Sequence, residues 1–187
     1  MSAIVNKAFR MFGFVKRTMK PFNNNCVFKV LYNSYIRSGL DYCSPVWSPN
    51  AKSAINKLER VQKKFVKHLC FLNRVEYNSS NYVDLCNKFQ LTTLEKRRRI
   101  TDIMLFYQVL HGKVNCPMLL SQIYFFLPSR RTRHTKVLTV KKKCRLQVRK
   151  NDYIPRSVTY ANSLEQIDFF HRSLSKTTIS CALSRLS

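Results

Sequence analysis

Lysine and arginine are the side chains in this sequence whose types and spacing could do chemistry. Lys63, Lys64 and Lys67 recur at helical intervals, and Lys96, Arg97, Arg98 and Arg99 are consecutive. Arg130, Arg131, Arg133, Lys141, Lys142, Lys143 and Arg145 crowd a short span. Such cations contact phosphate: their charge follows a nucleic-acid backbone, and the guanidinium fork grips phosphate oxygens in pairs. Residues 129–150 hold ten Lys or Arg and no Asp or Glu. Across all 187 residues, 34 Lys plus Arg stand against 9 Asp plus Glu, a net charge of +25. That balance points to a polyanionic partner, DNA, RNA or an RNA–DNA hybrid, held by its backbone with little reading of base sequence.

Other chemistries find little support. Phosphoryl transfer on magnesium needs converging carboxylates, and no Asp-Asp pair closes a hydrophobic strand. Glu95 reads as part of a helix cap, and Glu59 as a helix-face partner of Lys63. His68, His111, His134 and His171 fit neither a zinc-protease nor a catalytic-triad spacing. The seven cysteines are never closer than 16 residues apart, as at Cys70 and Cys86. That spacing argues against a zinc finger and for reduced thiols inside a cell. With only Gly13, Gly39 and Gly112, no phosphate-cradling glycine loop can be built. The expectation is therefore no catalytic residue, no metal ligand and no cofactor. No apolar run is long enough to span a membrane, and the first residues lack a signal-peptide core. The expected location is nucleus or cytoplasm, without secretion, and Asn78-Ser-Ser80 reads as a polar helix start.

The elements that must carry these cations are mostly α-helical, since 45% of the residues are hydrophobic and their spacing is three and four. Residues 3–20 place Ile4, Ala8, Met11, Phe12 and Val15 on one side and predict a first helix ending before Pro21. Residues 22–38 predict a second, with Val27, Val30, Leu31, Ser34, Tyr35 and Ile36 at helical spacing and Gly39 as its stop. A loop follows whose Trp47 plugs the helical core or stacks on a base, the plug being the favoured reading. The clearest helix is 51–73, with Ile55, Leu58, Val61, Phe65 and Leu69 inward and Lys57, Arg60, Lys63, Lys64 and Lys67 on other faces. A short helix near 79–88 precedes one from Thr92 to about Leu110, capped by Thr92 and Glu95 and stopped at Gly112. Pro117 opens a helix through Phe125. Residues 135–140 and 144–148 alternate in a way that permits two short strands, and a flexible basic strap is equally compatible. Asn162 or Ser163 is expected to cap a last helix with Leu164, Ile167, Phe170 and Leu174 on one face. The reading is an amphipathic helix bundle at 1–127 with a smaller basic C-terminal region at 128–187.

Several blocks resemble a known family. Tyr32-Asn-Ser-Tyr-Ile-Arg-Ser-Gly-Leu-Asp-Tyr-Cys-Ser-Pro-Val-Trp-Ser-Pro49 is followed by Leu58-Glu-Arg-Val-Gln-Lys-Lys64 and by Leu91-Thr-Thr-Leu-Glu-Lys-Arg-Arg98. Ile154-Pro-Arg-Ser-Val158 and Ala161-Asn-Ser-Leu164 complete the order. Together they resemble the region beyond the catalytic palm in reverse transcriptases of non-LTR retrotransposons of the Jockey type. The resemblance implies a thumb and post-thumb region that grips template–primer or element RNA and packs against a reverse-transcriptase palm. It implies an ancestry in RNA-directed DNA polymerases without independent activity here, the alternatives being an interaction module that packs on a separately encoded palm or a non-functional remnant. The family's Tyr/Phe-Ala-Asp-Asp motif and its endonuclease are not among these residues, so no catalytic residue carries over. A surface that faces the palm in the family would leave aromatic residues among Phe9, Phe12, Phe14 and Phe22 exposed.

Overall fold

The computed structural model describes residues 2–22, 24–125, 139–140, 145–164, 167, 169–170 and 174–184. Helices dominate, and no strand forms among the described residues. By its internal contacts the chain divides into two compact units, Met1–Arg97 and Arg98–Ser187. The compositional boundary at 127/128 follows another property, the onset of the dense run of cations.

In the first unit, α1 (Ser2–Thr18) buries Val5, Ala8, Phe12 and Val15. A second helical stretch begins as α2 (Asn25–Leu31), whose first N–H groups are capped by the Asn24 side chain. It passes through a π-helical segment, Tyr32–Arg37, and ends as α3 (Ser38–Asp41). Its buried residues are Phe28, Tyr32, Ile36 and Leu40, while Val27, Val30 and Tyr35 face outward. The sequence-based face is thus rotated, and Gly39 does not stop the helix. The reason is geometric. On an α-helix each four-residue step drifts by about 40°, so four residues spaced by four fan out over about 120°. The wider π turn absorbs that drift.

After Cys43, which takes a left-handed conformation, α4 (Ser44–Trp47) places Trp47 against the core. The indole N–H donates to the Tyr42 carbonyl at 2.6 Å. The long α5 (Lys52–Leu72) buries Leu58, Val61, Phe65 and Leu69 as its period predicts, and Val66 besides, while Ile55 is half-buried. Phe65 lies between Tyr32, at 3.7 Å and 9° between ring planes, and Phe28, at 5.2 Å and 23°. Phe12 meets the same ring edge-on at 6.5 Å.

Two polar side chains of α5 are also buried. Tyr32 donates its hydroxyl to Gln62 Oε1 (3.2 Å), and Gln62 Nε2 donates to the Thr92 carbonyl (2.9 Å). Glu59 is no simple surface partner of Lys63. It accepts from the Tyr82 hydroxyl of α6 (Tyr82–Lys88) at 2.6 Å and from the Leu94 N–H that opens α7 (Leu94–Leu110) at 3.3 Å. Burial and the Glu59 charge push the Tyr82 hydroxyl well up, which keeps its proton in place to donate. The cap of α7 is Thr93, whose Oγ1 accepts from the Lys96 N–H at 3.3 Å, one residue later than the sequence expectation.

In the second unit, α7 buries Ile100, Ile103, Phe106 and Val109 against Ile154, Val158, Ala161 and Leu164. Gly112 leaves α7 in the left-handed conformation, as expected of a C-terminal glycine. The helix opened by Pro117 is one turn, α8 (Pro117–Leu120), and Phe125 instead bridges Thr139. Where alternation permitted a strand, residues 145–150 form a bend and a helical turn, α9 (Gln147–Lys150), closed by the Lys150 N–H on the Leu146 carbonyl. The helix at the expected 162 start lies earlier, as α10 (Tyr153–Ser163), and Pro155 falls in its first turn where an N–H has no intrahelical acceptor. Asn162 is not a cap: its amide brackets Thr139, accepting from the N–H and hydroxyl and donating to the carbonyl at 2.8 Å. Helix α11 (Lys176–Ser184) buries Ile179, and Ser175 Oγ accepts from the Thr178 N–H.

The described cysteines are free thiols, and their burial sorts them. Cys26, Cys43 and Cys181 are exposed. Cys70 and Cys86 are buried, and that burial pushes both thiols up, away from the reactive thiolate. Alkylation of the folded protein followed by mass spectrometry should therefore modify the exposed three quickly. Cys70 and Cys86 should react only on addition of denaturant; fast labelling of either in native buffer would contradict this packing.

Candidate nucleic-acid interface

The solvent side of α5 carries a continuous cationic surface in the first unit. Lys57, Arg60, Lys64, Lys67 and Phe71 follow one another at intervals of three and four and are all exposed. At 1.5 Å per residue this stripe is about 21 Å long. That matches roughly six steps along one strand of a duplex at about 3.4 Å each. Lys64 Nζ sits 5.2 Å from the Phe9 ring centroid of α1. Lys63 is half-buried beside the stripe, its Nζ 5.2 Å from the Tyr82 ring centroid. Sequence reading assigned Lys57 and Arg60 to the polar face but left them out of the site.

The four-residue basic run does not act as one patch. Lys96 is partly exposed. Arg97 pairs with Asp41 through Nε at 2.7 Å. Arg98 is only 3% exposed, so its head is withdrawn from any phosphate at the surface. Arg99 is exposed and lies 5.6 Å from the Tyr160 ring centroid. Consecutive residues on a helix point in four directions, which is why adjacency in sequence does not make a shared face. Arg145 is exposed before α9. Arg130, Arg131, Arg133, Lys141, Lys142 and Lys143 lie outside the described residues.

One buried charge in the second unit was not singled out from the sequence. Asp102, on the apolar face of α7, is 1% exposed and faces Arg156 of α10, 8% exposed. Arg156 Nε donates to Oδ2 at 2.8 Å and Nη2 to Oδ1 at 3.3 Å. The third nitrogen, Nη1, donates to the Asn151 carbonyl, and the Tyr153 hydroxyl to the Asp102 carbonyl. Burial pushes the Asp102 carboxyl up, opposed by the bonds and charge of Arg156 and by Arg98. The only signal in sequence was an aspartate at a helix position where the period calls for an apolar residue.

Among the described residues no cluster of three His, Cys, Asp or Glu could hold a metal ion. His134, His171, Cys144, Glu165 and Asp168 lie outside them. No described helix is long and apolar enough to cross a membrane. Comparison with models of protein families, with curated proteins and with solved structures finds no match to this chain.

Proposed function

We propose that these residues form the thumb and post-thumb portion of a retrotransposon reverse transcriptase, and that they bind template–primer or RNA by its backbone without sequence specificity. The observation that carries the reading is the exposed stripe Lys57, Arg60, Lys64 and Lys67 on a chain of net charge +25. The ordered sequence blocks supply the lineage, and the polymerase motif they would accompany is not among these residues. The portion is proposed to be catalytically incomplete.

Four phosphate contacts release counterions with a slope of about −3.6 in log affinity against log salt. Affinity for a DNA duplex should thus fall about a hundredfold between about 50 and 200 mM salt. The double substitution Lys64→Glu with Lys67→Glu should flatten the slope by about two. Binding that ignores salt, or its absence at the lower concentration, would refute the reading.

A second reading is an interaction module that packs on a separately encoded reverse-transcriptase palm. It is favoured by the apolar side chains left outward on the first unit, with Phe14, Phe22, Val30 and Tyr35 all exposed. Capture of a palm domain that survives nuclease treatment supports this reading; loss of capture on treatment supports nucleic-acid bridging.

A further inference from the structure

At its C-terminal end the basic stripe of α5 runs into an aromatic residue. Phe71 occupies the position where the stripe's spacing calls for the next cation, and it is 78% exposed. It forms one wall of a cavity of about 610 Å³ built entirely within the first unit. Three cations also line it: Lys16 and Arg17 in the last turn of α1 and Lys20 just beyond it. The His68 ring lies nearly parallel to that of Phe71, with centroids 6.3 Å apart and 14° between planes. Phe28 closes the floor, 5.0 Å from His68. Among the described residues, no carboxylate lines the cavity.

We infer that this cavity receives an unpaired nucleotide of a nucleic-acid strand, with the base stacked on Phe71 beside His68 and the adjoining phosphates held by Lys16, Arg17 and Lys20. The inference rests on the proposed backbone track along α5 and deepens it, since the cavity opens where that track ends. Each part of a nucleotide meets its chemical complement. A flat π-face meets an exposed ring, and an anionic linkage meets a group of cations without a competing acid. Burial and the charge of Lys16 hold the His68 pKa below its ordinary value, so the imidazole is neutral at neutral pH and presents a ring rather than a charge. The volume lies in the range of small-molecule pockets, enough for one base. Stacking tolerates any base, which agrees with binding that ignores sequence.

The test compares wild type with Phe71→Ala and Phe71→Tyr by fluorescence anisotropy. The probes are a short single-stranded oligonucleotide, a blunt duplex of the same length, free mononucleotide as competitor, and vesicles of anionic phospholipid. Phe71→Ala should bind the single strand about tenfold more weakly, leave duplex binding unchanged and keep the thermal midpoint. Phe71→Tyr should restore the single-strand affinity. Unchanged single-strand affinity in Phe71→Ala overturns the inference and, if salt-sensitive duplex binding persists, leaves the proposed backbone role standing. Loss of all nucleic-acid binding in wild type overturns both. A mononucleotide that displaces the strand at equal concentration assigns the cavity to a free nucleotide and overturns the strand as its source. Phe71-dependent binding confined to vesicles assigns it to a lipid headgroup and overturns it equally.

Discussion

Arg156→Ala is expected to destabilise the second unit by about 3–5 kcal/mol, a large part of the ~5–15 kcal/mol that holds a typical domain. The substitution leaves Asp102 at 1% exposure with both carboxylate oxygens deprived of their guanidinium donors. It also removes the donor to the Asn151 carbonyl. The cost comes mainly from the stranded charge rather than from the attraction lost. A second variant separates the two. Replacing both partners at once, Asp102→Leu with Arg156→Met, removes the charge and its partner together and should recover most of the loss. Urea unfolding followed by circular dichroism, with hydrogen exchange on α7 and α10 to localise the effect, reads both. Equal losses in single and double variants would mean that the ion pair itself, and not the orphaned carboxylate, sets the stability.

Phe65→Ala is expected to cost the first unit about 3–5 kcal/mol. Its ring is the common member of the contacts with Tyr32, Phe28 and Phe12, so truncation opens a cavity on three sides at once. Tyr32 has little freedom to fill the space, because its hydroxyl is tied to Gln62. The same substitution six residues on, Phe71→Ala, should shift stability by less than about 0.5 kcal/mol, since that ring is mostly in solvent. Urea midpoints for the pair, one large and one near zero, check the assignment of inner and outer faces of α5. Comparable losses for the two would place Phe71 in the core and remove it as a stacking platform.

How legible the fold was from sequence depended on whether period alone decides the structure. Helix α5 was readable because its apolar residues recur at three and four and its cations fill the remainder. The helix beginning at Asn25 was misread in rotation because the π segment breaks the period on which any face assignment relies. The cap of α7 was placed one residue early, since Thr92 and Thr93 are chemically equivalent and only the chain path chooses between them. Asp102 stayed hidden for a different reason: its partner lies far along the chain, and a charge in an apolar stripe has meaning only with that partner in place. At the candidate site the cations of α5 were legible as a face. The cavity was not, because Lys16, Arg17 and Lys20 meet His68 and Phe71 only after α1 and α5 pack. An aromatic standing in the register of a basic stripe was the available clue.

The blocks that carry the family resemblance hold many of the bonds that lock the fold. Asp41 of the first block pairs with Arg97 of the third, and Glu59 of the second accepts from Leu94 of the third. Gln62 of the second bonds Tyr32 of the first and Thr92 of the third. These residues therefore have packing reasons to be present, separate from any contact with nucleic acid.

That lock has a consequence for synthesis on the ribosome. Leu91 and Leu94 belong to the first core, and Leu94 and Arg97 supply its last hydrogen bond and ion pair. A nascent chain that has emerged only as far as Gln90 has α5 with Glu59 lacking its Leu94 N–H donor and Gln62 lacking its Thr92 carbonyl acceptor. At about 5–20 residues per second the remaining residues follow within about two seconds. During that interval the half-made core, with its cations on one side and its unsheltered aromatics on the other, is open to the ribosome's own RNA and to chaperones.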